Sequence, residues 1–177
     1  PVTIASVNID GIKSKTAYVA ELLKTNNVIC ILEHWLFRFE ASKFLELFPE
    51  CLGAIKCFDD QDPTPTRVRP KGKAGVATLW KREHSNCITE LPDGSSRVLV
   101  VRITADPTDI ILINTYMPAN GTLSGDSYPG ILDEIYEIFT KYATDCTVIW
   151  IGDMNASKKH TRENKNDKCL RSEEHTS

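Results

Sequence analysis

The sequence predicts a layered α/β domain, and three observations predict it. The chain opens with a strand-helix-strand pattern, a group of short β-branched runs joined by tight turns follows, and a strongly amphipathic segment then precedes a last apolar run. The first pattern implies parallel pairing, the second antiparallel pairing, and the mixture implies sheets with helices packed on them.

Taken in order, Val2 to Asn8 (VTIASVN) is short and β-branched and leaves into a turn at Asp10-Gly11. Ser14 is a candidate cap for a helix running to about Lys24, with Tyr18, Val19, Leu22 and Leu23 as its apolar stripe. Val28 to Leu32 (VICIL) is a continuous apolar run, as expected of a strand buried on both faces. Glu40 to Phe48 is a shorter helix candidate stopped by Pro49. Asp59 to Lys73 holds three prolines and no periodicity and reads as a loop. Gly75 to Trp80, Ser85 to Leu91, Arg97 to Thr104 and Ile110 to Tyr116 are strands, the last three joined by turns at Pro92-Asp93-Gly94 and Asp106-Pro107. Beyond a polar loop over residues 117–127, Tyr128 to Tyr142 carries Ile131, Leu132, Ile135, Ile138, Phe139 and Tyr142 at helical spacing. Thr147 to Ile151 (TVIWI) reads as a second doubly buried strand and ends at Gly152-Asp153.

A different composition begins after Ala156: Lys158 to Lys168 has no large apolar residue, and the stretch 158–170 is expected to be disordered. The last seven residues, Arg171 to Ser177, spell RSEEHTS. The codon series AGA TCG GAA GAG CAC ACG TCT encodes that heptapeptide and matches a common sequencing-library adapter, so 171–177 is expected to be translated adapter. This leaves residues 1–157 as the domain, and the missing initiator Met places the expected start upstream.

A chain of 177 residues with 41% hydrophobic and 25% charged residues is long enough for one domain with its own core. Its net charge of −3 excludes a globally basic nucleic-acid binder, so any contact with DNA must come from local patches or bound cations. The six cysteines form no C-x-x-C pair and have no accompanying His cluster, which argues against zinc. Cys30 and Cys146 lie in apolar runs and read as small buried hydrophobes. With no apolar span and no signal peptide visible, the expectation is an intracellular protein, nuclear or cytoplasmic, with no membrane partner.

Four stretches place polar residues where a strand ends: Asn8-Ile9-Asp10-Gly11, Glu33-His34-Trp35, Asn114-Thr115-Tyr116-Met117-Pro118 and Gly152-Asp153-Met154-Asn155. Strand ends along one edge of an α/β layer gather binding residues, because the scaffold is rigid there and the loops stay open. Glu33 and Asp153 are hard oxygen ligands suited to Mg²⁺. Asn8 and Asn155 can orient water or phosphate oxygens without adding charge, and Tyr116 offers a hydroxyl. Taken singly, each of these is more commonly a turn or cap residue.

The order N-I-D-G, I-L-E-H-W, G-V-A-T-L-W, N-T-Y-M-P and W-I-G-D-M-N resembles the endonuclease/exonuclease/phosphatase superfamily of DNase I-like enzymes and apurinic/apyrimidinic endonucleases. Within it, E-H-W-L and G-V-A-T-L-W-K look most like the endonucleases of LINE-type non-LTR retrotransposons. The resemblance runs from Val2 to about Ser157. It implies a four-layered α/β sandwich, two packed mixed sheets flanked by helices, incomplete at its C-terminal end. It further implies a Mg²⁺ cofactor (Mn²⁺ being the alternative), a DNA substrate nicked to leave a 3′ hydroxyl, and a reverse transcriptase domain downstream. By the family's pattern Asn8 supports the metal and scissile phosphate and Glu33 is the principal metal ligand. Tyr116 resembles the phosphate-contacting tyrosine. Asp153 resembles the residue that positions or deprotonates water, with a part in holding the metal, and Asn155 the asparagine that assists it.

One departure is large. The family's closing Asp-His pair has no counterpart here, since His160 and His175 lie in no such motif. The chain alone is therefore expected to be inactive. Arg67, Arg69, Lys71 and Lys73 form a basic loop able to follow a DNA backbone, or simply a solvated one. His34 neighbours Glu33, but adjacent strand residues point to opposite faces, so it is expected to be packed or at the surface. Trp80 and Trp150 are expected in the core. A phosphomonoesterase or phospholipid-cleaving activity on the same fold is the main rival, and a non-catalytic remnant is another, since fold does not fix substrate.

Overall fold

The computed structural model describes residues 2–60, 72–119, 127–156, 166–167 and 169–170. Its strands are β1 (Ile4–Asn8), β2 (Val28–Leu32), β3 (Cys51–Lys56), β4 (Val76–Lys81), β5 (Ile88–Glu90), β6 (Val98–Ile103), β7 (Ile110–Tyr116) and β8 (Thr147–Asp153). The α-helices are α1 (Thr16–Thr25), α2 (Ala41–Glu46) and α3 (Tyr128–Tyr142). The strands form two sheets of four, in the orders β1-β2-β4-β3 and β5-β6-β7-β8. β1 runs parallel to β2 and β7 parallel to β8, while the other neighbours are antiparallel, as the connection lengths predict.

Strand alternation divides the core into layers. On β2, Val28, Cys30 and Leu32 face the second sheet with Leu99, Val101, Ile103 and Leu112. Ile29 and Ile31 point the other way, onto Val19 and Leu23 of α1 and Phe44 of α2. Val98, Val100, Ile111 and Ile113 face Ile131, Leu132, Ile135 and Ile138 of α3. The result is four layers, α1 and α2, sheet, sheet, α3. All five residues of VICIL are buried, because β2 has strands on both sides and a packed layer on each face.

Several expectations change. β3 lies in a stretch without strand-like alternation, CLGAIK, and pairs with β4 along its whole length. Ser14 does not cap α1: it ends a short 3-10 turn, and the residue before the helix, Lys15, makes no side-chain cap bond. The helix expected over 40–48 is a 3-10 turn at Arg38–Glu40 leading into the shorter α2. β8 is not doubly buried, because it is the outer strand of its sheet, and Thr147 and Ile149 are exposed. Trp80 is in the core, Trp150 only half-buried for the same reason. Cys30 is buried as expected, and Cys146 is half-buried beside the α3 cluster. Of the stretch 158–170, Asn166, Asp167 and Leu170 are buried. Leu170 and Cys169, the two apolar side chains there, pack on the α3 cluster.

β8 reaches the site through Gly152, whose φ is +144°. A Cβ at this position would lie 1.9 Å from the Thr115 carbonyl oxygen of β7. Gly152→Ala is expected to destabilise the protein by about 3 kcal/mol, as overpacking of a tight contact does. Urea denaturation measures it, and an unchanged midpoint would contradict so close an approach of β7 and β8.

Candidate active site

The two parallel pairs bring four strand C-termini to one edge of the sandwich. Asn8 closes β1, Glu33 follows β2, and Tyr116 and Asp153, cross-strand partners, close β7 and β8. Backbone bonds tie the loops there: Ile9 N–H donates to Leu32 O, Gly11 N–H to Glu33 O, and Glu33 N–H to Gly75 O. Within the second sheet, Met117 N–H donates to Asp153 O.

All five expected site residues therefore come together. The Asn8 amide donates from Nδ2 to Glu33 Oε1 at 2.7 Å and to Asp153 Oδ2 at 3.1 Å, and its Oδ1 accepts from Asp10 N–H at 3.2 Å. Asp153 Oδ1 accepts from the Asn155 backbone N–H at 3.0 Å. Asn155, at φ +44°, donates from Nδ2 to Met117 O at 2.8 Å. Asn visits this left-handed region more readily than most residues, which suits the tight turn after Asp153. Burial, then the Glu33 charge and the hydrogen bond the hydroxyl donates to Glu33, push the Tyr116 phenol up to about 12; the Arg97 guanidinium opposes them. Tyr116 is thus a protonated donor at neutral pH.

Two contributors were not singled out as site residues from sequence. Arg97, buried at the head of β6, stands 5.6 Å from the Tyr116 ring centroid and 5.0 Å from that of Phe58. It also donates to Tyr116 O at 3.4 Å. A charged residue opening the otherwise apolar RVLVV was the available signal. The other is Trp35, whose Nε1 donates to Glu33 Oε2 at 3.3 Å. Asn114, in the same stretch as Tyr116, plays a structural part: fully buried, it donates to Ala77 O at 2.9 Å across the two sheets.

Of the basic loop, Arg67, Arg69 and Lys71 lie outside the described residues, and Lys73 is exposed with Nζ 4.6 Å from the Phe58 ring centroid. Among the described residues, no group of three or more His, Cys, Asp or Glu side chains forms a cation site. The donor set at the strand ends is two carboxylates, Glu33 and Asp153, braced by a neutral amide. That set fits a Mg²⁺-like ion, which takes one or two carboxylates and completes its shell with water and phosphate oxygens.

No family model matches the chain, and no curated protein matches it by sequence. Solved structures do match. An AP endonuclease from Leishmania major aligns at TM-score 0.65 and 17% identity, over 90% of this chain and 56% of that one. The endonuclease domain of TRAS1, a telomere-specific non-LTR retrotransposon, aligns at 0.66 and 14%, over 99% and 72%. The catalytic domain of Xenopus laevis APE2 aligns at 0.67 and 18%, over 97% and 67%. The fold is DNase I-like. The chain spans little more than half of the Leishmania enzyme, 56% of its length. Within this DNase I-like sandwich, the five residues occupy the edge where both sheets end.

His34 is packed, at 0% exposure. Its Nδ1 accepts from Leu36 N–H at 2.9 Å, which leaves Nε2 to donate to Lys56 O at 3.1 Å. Burial pushes its pKa from 6.5 down to about 4, against the Lys56 carbonyl and the Asp59 charge, which favour the proton. The unfolded chain takes up that proton below about pH 6.5 and the fold resists until about pH 4. Stability from this group is thus complete above the upper value and lost as pH falls to the lower, by about 3 kcal/mol in all. His34→Gln should flatten that part of the pH–stability curve in denaturant titrations. Parallel curves for variant and parent would contradict a neutral buried imidazole.

Proposed function

We propose that this chain is the first part of a metal-dependent DNA endonuclease domain of the kind carried by non-LTR retrotransposons. The convergence of Asn8, Glu33 and Asp153 across two sheets carries the reading. Support comes from the ordered motifs and from the likeness to the TRAS1 endonuclease domain over 99% of this chain.

Glu33 and Asp153 would hold a Mg²⁺ ion, or Mn²⁺, with Asn8 bracing both carboxylates. Such an ion, when bound, stabilises charge on the phosphoryl oxygens and lowers the pKa of water. Asp153, held by the Asn155 N–H, would orient the attacking water and accept its proton. Tyr116 keeps its proton and donates to a phosphate oxygen, and the buried Arg97 beside it adds positive potential toward the phosphodiester. Hydrolysis by this route leaves a 3′ hydroxyl, the primer that a reverse transcriptase domain downstream in a longer polyprotein would extend.

A chain extended through the downstream reading frame should nick supercoiled plasmid only with divalent metal, and chelation should stop it. Glu33→Ala and Asp153→Ala should each lower the rate by at least about a hundredfold, the scale of losing a transition-state electrostatic contact. Full nicking by either variant refutes the assigned roles. Release of phosphate from a monoester, with plasmid left intact, would point to the phosphomonoesterase reading instead. The 177-residue chain, which lacks the Asp-His motif, should leave plasmid uncut.

A further inference from the structure

We propose that Trp35 is a positioning residue, holding the Glu33 carboxylate from the side that Asn8 does not reach. The proposal rests on reading Glu33 as the cation-binding carboxylate. The indole Nε1 donates to Glu33 Oε2 at 3.3 Å, while Asn8 occupies Oε1. Both carboxylate oxygens therefore have a protein donor, and among the described residues these two donors are neutral. A lysine in place of the indole would fix the carboxylate equally well. It would also add a positive charge that competes with a divalent ion, and an N–H donor on an uncharged ring does not.

The backbone is shaped for this contact. Glu33 and Trp35 both have φ +55°, a left-handed conformation unusual for side chains of their size. Between them His34 is anchored by its two ring bonds, to Leu36 N–H and Lys56 O. Trp35 N–H donates to Ala74 O, and His34 O accepts from Ile12 N–H. These anchors turn residues 33 and 35 to the same side of the loop, where the indole meets the carboxylate. The six-membered ring lies on Gly11, where a Cβ would come within 2.7 Å of Trp35 Cε3. The absent side chain of Gly11 thus makes room for the ring, and the loop after β1 and the loop after β2 close on each other through it. Partners outside a coordination shell that orient a ligand in this way commonly change metal affinity by tenfold or more when removed.

Trp35→Phe tests it, since the N–H is lost while an aromatic ring is kept beside Gly11. The first measurement needs no metal: in the ¹⁵N-labelled protein the Trp35 indole resonance is assigned by its absence from Trp35→Phe, and Glu33→Gln should shift it. An unmoved resonance overturns the proposal. The second measures Mn²⁺ binding by electron paramagnetic resonance, with thermal unfolding as a control for folding. Trp35→Phe should bind on the order of tenfold more weakly than the parent at an unchanged thermal midpoint. Equal affinity overturns the proposal and leaves the metal reading standing. A parent that binds no Mn²⁺ while its indole still responds to Glu33→Gln supports the hold on Glu33 and removes the cation from the proposed function.

Discussion

A single side-chain amide joins the two halves of the site. Asn8 uses one N–H on Glu33 of its own sheet and directs Nδ2 also to Asp153, 145 residues later on the other sheet. Two carboxylates facing one another at a sheet edge repel, and a neutral two-proton donor between them relieves part of that repulsion without filling the space with a cation. The position matters as much as the chemistry. Asn8 ends β1 and Asp153 ends β8, the outer strands of their respective sheets. The angle and separation of the sandwich thus decide whether the carboxylates share a site.

That separation is fixed deeper in the molecule. The middle layer is filled by β-branched and leucine side chains from both sheets, with Trp80 among them, and Asn114 crosses it to the Ala77 carbonyl. A buried amide that must find that carbonyl selects one alignment of the sheets, because any slip strands a polar group in an apolar layer. Toward solvent, Asp93 does similar work: its carboxylate accepts from Lys141 and Tyr142 of α3, tying the β5–β6 turn to the helix. Burial pulls the Asp93 pKa up, and these two partners, with the Lys141 charge, bring it below the usual carboxylate value. The same turn leads into Arg97, so the helix on the outer layer helps place a cation behind Tyr116.

Most of the fold was legible because its strands obey strong local rules. VICIL could only be a strand covered on both faces, and the turns at Pro92-Asp93-Gly94 and Asp106-Pro107 dictated antiparallel neighbours. β3 was not legible, since CLGAIK carries a glycine and no alternation and becomes a strand only by pairing with β4. β8 was misread in environment because apolar composition reports hydrophobicity, while burial depends on what lies alongside. For the site, strand-end polarity nominated Asn8, Glu33, Tyr116, Asp153 and Asn155, and their convergence came from topology. Arg97 and Trp35 escaped because their parts depend on partners distant in sequence or on a left-handed turn, neither of which has a spacing to read.

The packing of His34 also bears on how relatives of this chain can differ. A Cβ on Gly75 would stand 2.4 Å from the imidazole, and Gly75 itself has φ +86°. The coupling runs one way. A side chain at 75 needs both a left-handed backbone and a smaller residue at 34, whereas residue 34 can change beside an unchanged Gly75. In chains that share this loop, a residue other than glycine at 75 should therefore occur only where the imidazole has gone.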